Sequence, residues 1–181
     1  FEPVADWYGN ASFSWKGSDG TAYSATESTV TIDVDAVNDV PTATEVSTPE
    51  TTNEDVALNL TDIVITDPDG DTMTATLTLD NTAAGSLTVG TFNSTTSTYD
   101  TSTGVWTATG TVADVNSALT AVTLSPALNF NGTVNIETSV SDGVAAPIAG
   151  NKVVTINPVN DPPVVASPSP FPLLEGGDIT F

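Results

Sequence analysis

The run Asp67-Pro68-Asp69-Gly70-Asp71-Thr72-Met73-Thr74-Ala75-Thr76-Leu77-Thr78-Leu79 carries two signals that set the reading of the rest of the chain. From Thr72 onward, Met73, Ala75, Leu77 and Leu79 alternate with threonine. That is the period of a strand with one apolar face, and β-branched threonine fits the pleated surface opposite. Just before it, three carboxylates fall within five residues. Like charges so close repel unless water or a cation intervenes, and Gly70 allows a turn tight enough for them to converge. Hard oxygen donors in a short loop suit Ca²⁺, which accepts about six to eight oxygens. An EF-hand is excluded. The twelfth position counted from Asp67 is Thr78, where a bidentate Glu is required, and both flanks read as strands.

A second alternation sets Val134, Ile136, Thr138 and Val140 against Asn135, Glu137 and Ser139. Further strands are expected near Ile63–Ile65 and at Val56–Leu60, Leu87–Val89, Val105–Thr109, Ala121–Leu124 and Val153–Ile156. Asp67 to Gly70, Asp80-Asn81 and Asp142-Gly143 supply turns between them. Between Val112 and Leu119 the apolar residues fall at helical spacing, which predicts one short helix. About seven strands in roughly 120 residues fit an all-β, antiparallel β-sandwich. The aromatics Trp7, Phe13, Trp15, Trp106 and Phe130 are expected in the core, not on a carbohydrate platform.

Self-comparison adds a long period. Phe1 to Gly9, with Pro3, Asp6 and Trp7, aligns with Leu124 to Gly132, with Pro126, Asn129 and Phe130, at an offset of 123. Ser18-Asp19-Gly20 keeps that offset to Ser141-Asp142-Gly143. Val37-Asn38-Asp39-Val40-Pro41 matches Val159-Asn160-Asp161-Pro162-Pro163 at 122. A fixed long period marks a tandem array. Residues 1–38 are read as the C-terminal part of one repeat, 39–160 as a whole repeat and 161–181 as the start of a third. The prolines at each junction favour extended geometry, suited to a stiff hinge. Leu173-Leu174 and Ile179 to Phe181 are expected to open the next strands.

Composition narrows the chemistry. Among 181 residues, 23 are acidic and two basic (Lys16 and Lys152), for a net charge of −21, and Cys and His are absent. Two lone lysines cannot make a phosphate-binding surface, so nucleic acid is excluded as a partner. His- or Cys-ligated metals and His-dependent nucleophilic catalysis are equally excluded. Apolar residues make up 39%, enough for a core, while the longest apolar runs are far too short for a membrane helix.

These residues resemble the cadherin-like repeats strung together in giant bacterial surface adhesins, often exported with RTX-type tails. The resemblance rests on Asp67 to Asp71, on Pro126 to Gly132 with Ser141-Asp142-Gly143, and on Val-Asn-Asp-x-Pro at both junctions. It implies Ca²⁺ held between successive repeats. Asp67 and Asp69 match the Asp-x-Asp loop of cadherins, with Asp71 beside them. Asp142 matches the Asp-Gly turn, Asn38 and Asp39 the linker, and Glu54 the acidic residue near the first strand. The second junction would use Glu54, Asn129, Asn160 and Asp161, completed from the third repeat, where Glu175 takes the place of Glu54. The linker Asp35 to Asp39 lacks the middle Asn of the cadherin pattern, so one or two ions per junction are expected instead of three. Asp33 and Asp35 approach the same place along the last strand.

The function expected is that of a calcium-stiffened spacer in an extracellular adhesin at the bacterial cell surface. Its partners would be neighbouring repeats of the same chain, with other copies or cell-surface glycans beyond them, and no membrane insertion by this segment. Two other readings remain open at this point: a structural subunit of an extracellular sheath, S-layer or filament, and a ligand-binding module, for glycans through exposed aromatics or for ice through the Thr rows at 72–78. An enzyme is not expected, because no carboxylate pair stands apart from the metal positions.

Overall fold

In the computed structural model, which describes residues 1–164, the chain opens with β1 (Gly9–Trp15) and β2 (Ser28–Val34), paired as an antiparallel hairpin. There follow β3 (Thr42–Thr44), β4 (Glu50–Asn53), β5 (Leu58–Asn59), β6 (Val64–Thr66) and β7 (Met73–Leu79). Next come β8 (Gly85–Leu87), β9 (Thr91–Phe92), β10 (Thr95–Thr96), β11 (Thr98–Asp100) and β12 (Val105–Gly110). The helix α1 (Val112–Thr120) then leads into β13 (Thr123–Pro126), β14 (Gly132–Ser141) and β15 (Ile148–Asn157). Strands take 46% of the residues and the helix 5%, so the chain is all-β.

The largest sheet has the order β11-β12-β7-β14-β15-β4, antiparallel throughout except for β4, which runs parallel to β15. A second sheet has the order β5-β13-β8, and β3 pairs with β6. The 73–79 alternation does what its period demands: Met73, Ala75, Leu77 and Leu79 are buried, and the threonines between them are half-exposed. Facing them in one core are Leu87 and Leu124 from the second sheet, Leu60, Ile63 and Ile65, and Val115, Ala118 and Leu119 of α1. The helix starts where Thr111 accepts the Asp114 amide, an N-cap. Trp106 is fully buried, and its indole N–H donates to the Thr88 carbonyl at 2.9 Å.

Several expectations shift. Between Val56 and Leu60 only β5 forms, because Asp55 turns the chain at φ +63°. The strands placed at 87–89 and 121–124 lie at β8 and β13, the second displaced because α1 reaches Thr120. Strand segments number thirteen from β3 to β15, well above seven, since pieces of two or three residues carry no readable period. Of the aromatics expected in the core, Trp106 is buried and Phe130 packs at the margin. Trp7, Phe13 and Trp15 are 37%, 53% and 53% exposed. The cause is local. β7 and β4 flank the β14–β15 hairpin, whereas β1–β2 has no third strand beside it among the described residues.

The two hairpins correspond closely. Gly9 pairs with Val34, and Gly132, 123 residues on, pairs with Ile156, 122 residues on. The single-residue difference therefore falls in the connection after Gly20. Asp6 and Asn129 share a left-handed backbone, φ 62° and 57°. Asp19 Oδ1 accepts the amides of Thr21 and Ala22, as Asp142 Oδ1 accepts those of Val144 and Ala145.

One core position differs in kind. Lys152 is fully buried where the first hairpin carries Val30, and its Nζ lies 3.3 Å from Glu50 Oε1. Glu50 also accepts the Thr61 amide. This pair ties β15 to β4 from inside. Removing one partner of a buried pair leaves an uncompensated charge, whereas an apolar replacement of both can be neutral. Lys152→Met alone should therefore lose about 3–5 kcal/mol in urea denaturation, and adding Glu50→Leu should restore most of it.

Candidate metal centre

Three chain segments meet at one end of the 42–157 unit: the turn after β6 (67–71), the turn after β14 (Asp142) and the linker that leaves β2 (Asp35–Asp39). Gly70, at φ +70°, supplies the left-handed step that folds the first turn. The Asp69 amide then donates to Asp67 Oδ1 at 3.0 Å. The linker lies across this end. Asn38 Nδ2 donates to Asp142 Oδ2 at 3.1 Å and to the Asp39 carbonyl at 2.9 Å, and the Asp39 amide donates to Asp69 Oδ2 at 2.5 Å. Residues more than a hundred positions apart are thereby held together.

An open cleft of about 300 Å³ adjoins this contact, lined by Asp6, Trp7, Tyr8, Asp35, Asp39 and Asp69 among others. A neighbouring recess is lined by Tyr8, Asn38, Asp69 and Asp71. Asp67 Oδ2 is shut off from solvent and has no hydrogen-bond partner. A carboxylate oxygen in that condition is costly unless a positive charge approaches it. No lysine does so: Lys16 pairs with Glu27 and Lys152 with Glu50.

Electrostatics divide the acids. Partial burial, then the negative charges of Asp6, Asp69 and Asp67, raise the Asp39 carboxyl above the ordinary carboxylate range. Asp142 is lowered, first by the Val144 amide and then by the Asn38 side chain, and Asp19 is lowered by the Ala22 and Thr21 amides. Asp142 is thus a settled anion, and Asp39 a repelled one. Among the described residues no three acidic side chains yet stand in the arrangement of a formed metal site. The donors are nonetheless all hard oxygens, and the sealed Asp67 oxygen is what a cation would satisfy, so this end fits Ca²⁺.

The second junction is arranged otherwise. Glu54, 5% exposed, accepts the Val159 amide on Oε1 at 2.5 Å and the Asn131 side chain on Oε2 at 3.1 Å. Asn160 Nδ2 donates to the Asp161 carbonyl, repeating the Asn38–Asp39 contact, and both residues are exposed. Glu175 and the strands expected at 173–174 and 179–181 lie outside the described residues. Sequence spacing gave no hint of Trp7 and Tyr8 as walls of the cleft. Asp6, aligned only with Asn129, reaches the cleft because both residues turn the chain left-handed just ahead of a hairpin. In comparisons with known proteins, no family model matches the chain and no curated protein matches it.

The two shifts have opposite consequences for stability. The Asp39 carboxyl is raised by folding, so its ionised form costs stability above the ordinary carboxylate range. Asp39→Asn should therefore raise the melting temperature in chelator while shrinking the gain on adding calcium. Asp142 is lowered, so its contribution is present at neutral pH and lost as pH falls through its folded value. Urea denaturation of Asp142→Ala in chelator should show a deficit at pH 7 that closes in acid.

Proposed function

We propose that the chain is a stretch of tandem cadherin-like β-sandwich repeats, stiffened by Ca²⁺ at their junctions, serving as an extender in an extracellular bacterial adhesin. In this reading residues 1–38 end one repeat, 39–160 form the next and 161–181 begin a third. The observation that carries it is the meeting of Asn38 and Asp39 with Asp69 and Asp142 beside the unpartnered Asp67 Oδ2. The matching registers, turns and left-handed residues of the two hairpins support the tandem arrangement.

Asp67, Asp69 and Asp142 would hold the ion from the whole repeat and Asn38 and Asp39 from the linker, with Asp71 and Asp6 beside them. The ion supplies positive charge and fixes oxygen positions. The chain's own part is mechanical. Without neutralisation, acids on either side of the linker repel, and the joint bends. With it, linker and both repeats share one geometry, and the array becomes a rod that spaces a binding tip from the cell. Binding to the ordered state alone stabilises it by RT ln(1 + [L]/Kd), about 2.7 kcal/mol at a hundredfold excess over Kd. Extracellular modules bind at roughly 10⁻⁴ to 10⁻³ M, so the joint would be set by external calcium.

Small-angle scattering of the chain in calcium and in chelator tests this. Calcium should lengthen the maximum dimension and raise the melting temperature, and Asp67→Ala with Asp69→Ala should remove both effects. Superimposable profiles in the two conditions would refute the reading.

A further inference from the structure

We infer that Glu54 is a metal-independent brace for the linker that leaves its repeat, a positioning residue that does not serve as a calcium ligand. The carboxylate is enclosed, and each oxygen already accepts an N–H: Oε1 from the Val159 backbone at 2.5 Å, Oε2 from Asn131 Nδ2 at 3.1 Å. The Glu54 amide donates in turn to the Asn157 carbonyl at 2.9 Å, continuing the parallel β4–β15 pairing by one step. Its own side chain then continues it by another, standing where a strand carbonyl would be. Next to it, Asp55 Oδ1 accepts the Asn129 amide at 2.9 Å. Glu54 and Asp55 are thus both matched to neutral donors of their own repeat.

The residues around it point the same way. Asn129 and Asn157 stand where the first junction has Asp6 and Asp35, so two negative charges present at that cleft are replaced by amides here. Glu54 is enclosed and its charge is already met by two charge-assisted hydrogen bonds, so a cation would gain less there than at Asp67, where it would meet an oxygen with no partner. The outgoing linker is therefore fixed as far as Val159 by hydrogen bonds. Calcium acts only beyond it, at the grip that Asp69 exerts on the next unit's incoming linker through the Asp39 amide. Bending in chelator is then confined to the step between the residues equivalent to Val159 and Asp161. This assignment rests on the calcium reading only for that contrast.

Site-resolved amide hydrogen exchange on the full chain, with calcium and with chelator, separates the two ideas. The Val159 amide should be protected equally in both conditions, and Glu54→Ala should speed its exchange about tenfold or more. The calcium-induced slowing at Asp39 should survive that substitution. If Glu54→Ala does not fold, the unsubstituted chain alone decides: protection of Val159 that appears only with calcium, or in neither condition, overturns the brace. An Asp39 amide indifferent to calcium would instead sink the calcium reading, while equal protection of Val159 in both conditions would still uphold the brace.

Discussion

Unneutralised negative charge at the joint between the two hairpin-bearing segments governs how this molecule is put together. Asp6, Asp35, Asp39 and Asp69 line one cleft, Asp67 keeps an oxygen sealed from water without a partner, and both lysines of the chain are paired elsewhere. Hydrogen bonding relieves part of this. The Asp39 amide caps Asp69, and Asn38 caps Asp142. The rest shows as the raised Asp39 carboxyl, an acid whose neighbours are acids. In the proposed reading that residual repulsion is the device itself, because a joint that resists closure alone and closes around an ion reports external calcium as stiffness.

The body of the fold solves a separate problem, that of joining its first and last segments. β4 lies parallel to β15 at the edge of the large sheet, and the buried Lys152–Glu50 pair, the Glu54 amide and the Glu54 carboxylate bind the two along their length. The outgoing linker continues directly from β15, whereas the incoming one enters through β3, which pairs with β6. A pull on the outgoing linker would load β15 against the parallel β4 in shear, against several bonds at once. An extender has use for that property, and a module working only by surface recognition has less.

Much of this was legible in the sequence, and the failures have definite causes. The strand 73–79, the strand around 134–140 and the helix at 112–120 follow from periods long enough to be unambiguous. Asn38, Asp39, Asp67, Asp69 and Asp142 are assigned to one joint by the resemblance to cadherin-like repeats, and hydrogen bonds link Asn38 to Asp142, Asp39 to Asp69 and Asp69 to Asp67. Segments of two or three residues such as β5, β9 and β10 leave no period to read. Phe13 and Trp15 occupy inward-facing positions of their hairpin, but inward has meaning only where other strands flank it, and sequence alignment carries no knowledge of neighbours. Lys152 sits in an alternating run at an apolar position, and only its contact with Glu50, over a hundred residues away, explains it.

Trp7 and Tyr8 in the wall of the cleft offer a direct readout of whether the acids gather around a cation. Tb³⁺, which takes the oxygen sites of Ca²⁺, should show luminescence sensitised by excitation of these rings. That signal should fall on adding calcium in the roughly 10⁻⁴ to 10⁻³ M range and vanish with Trp7→Leu and Tyr8→Leu together. Sensitised emission that is absent, that ignores calcium or that persists without both rings would contradict a cation at this joint.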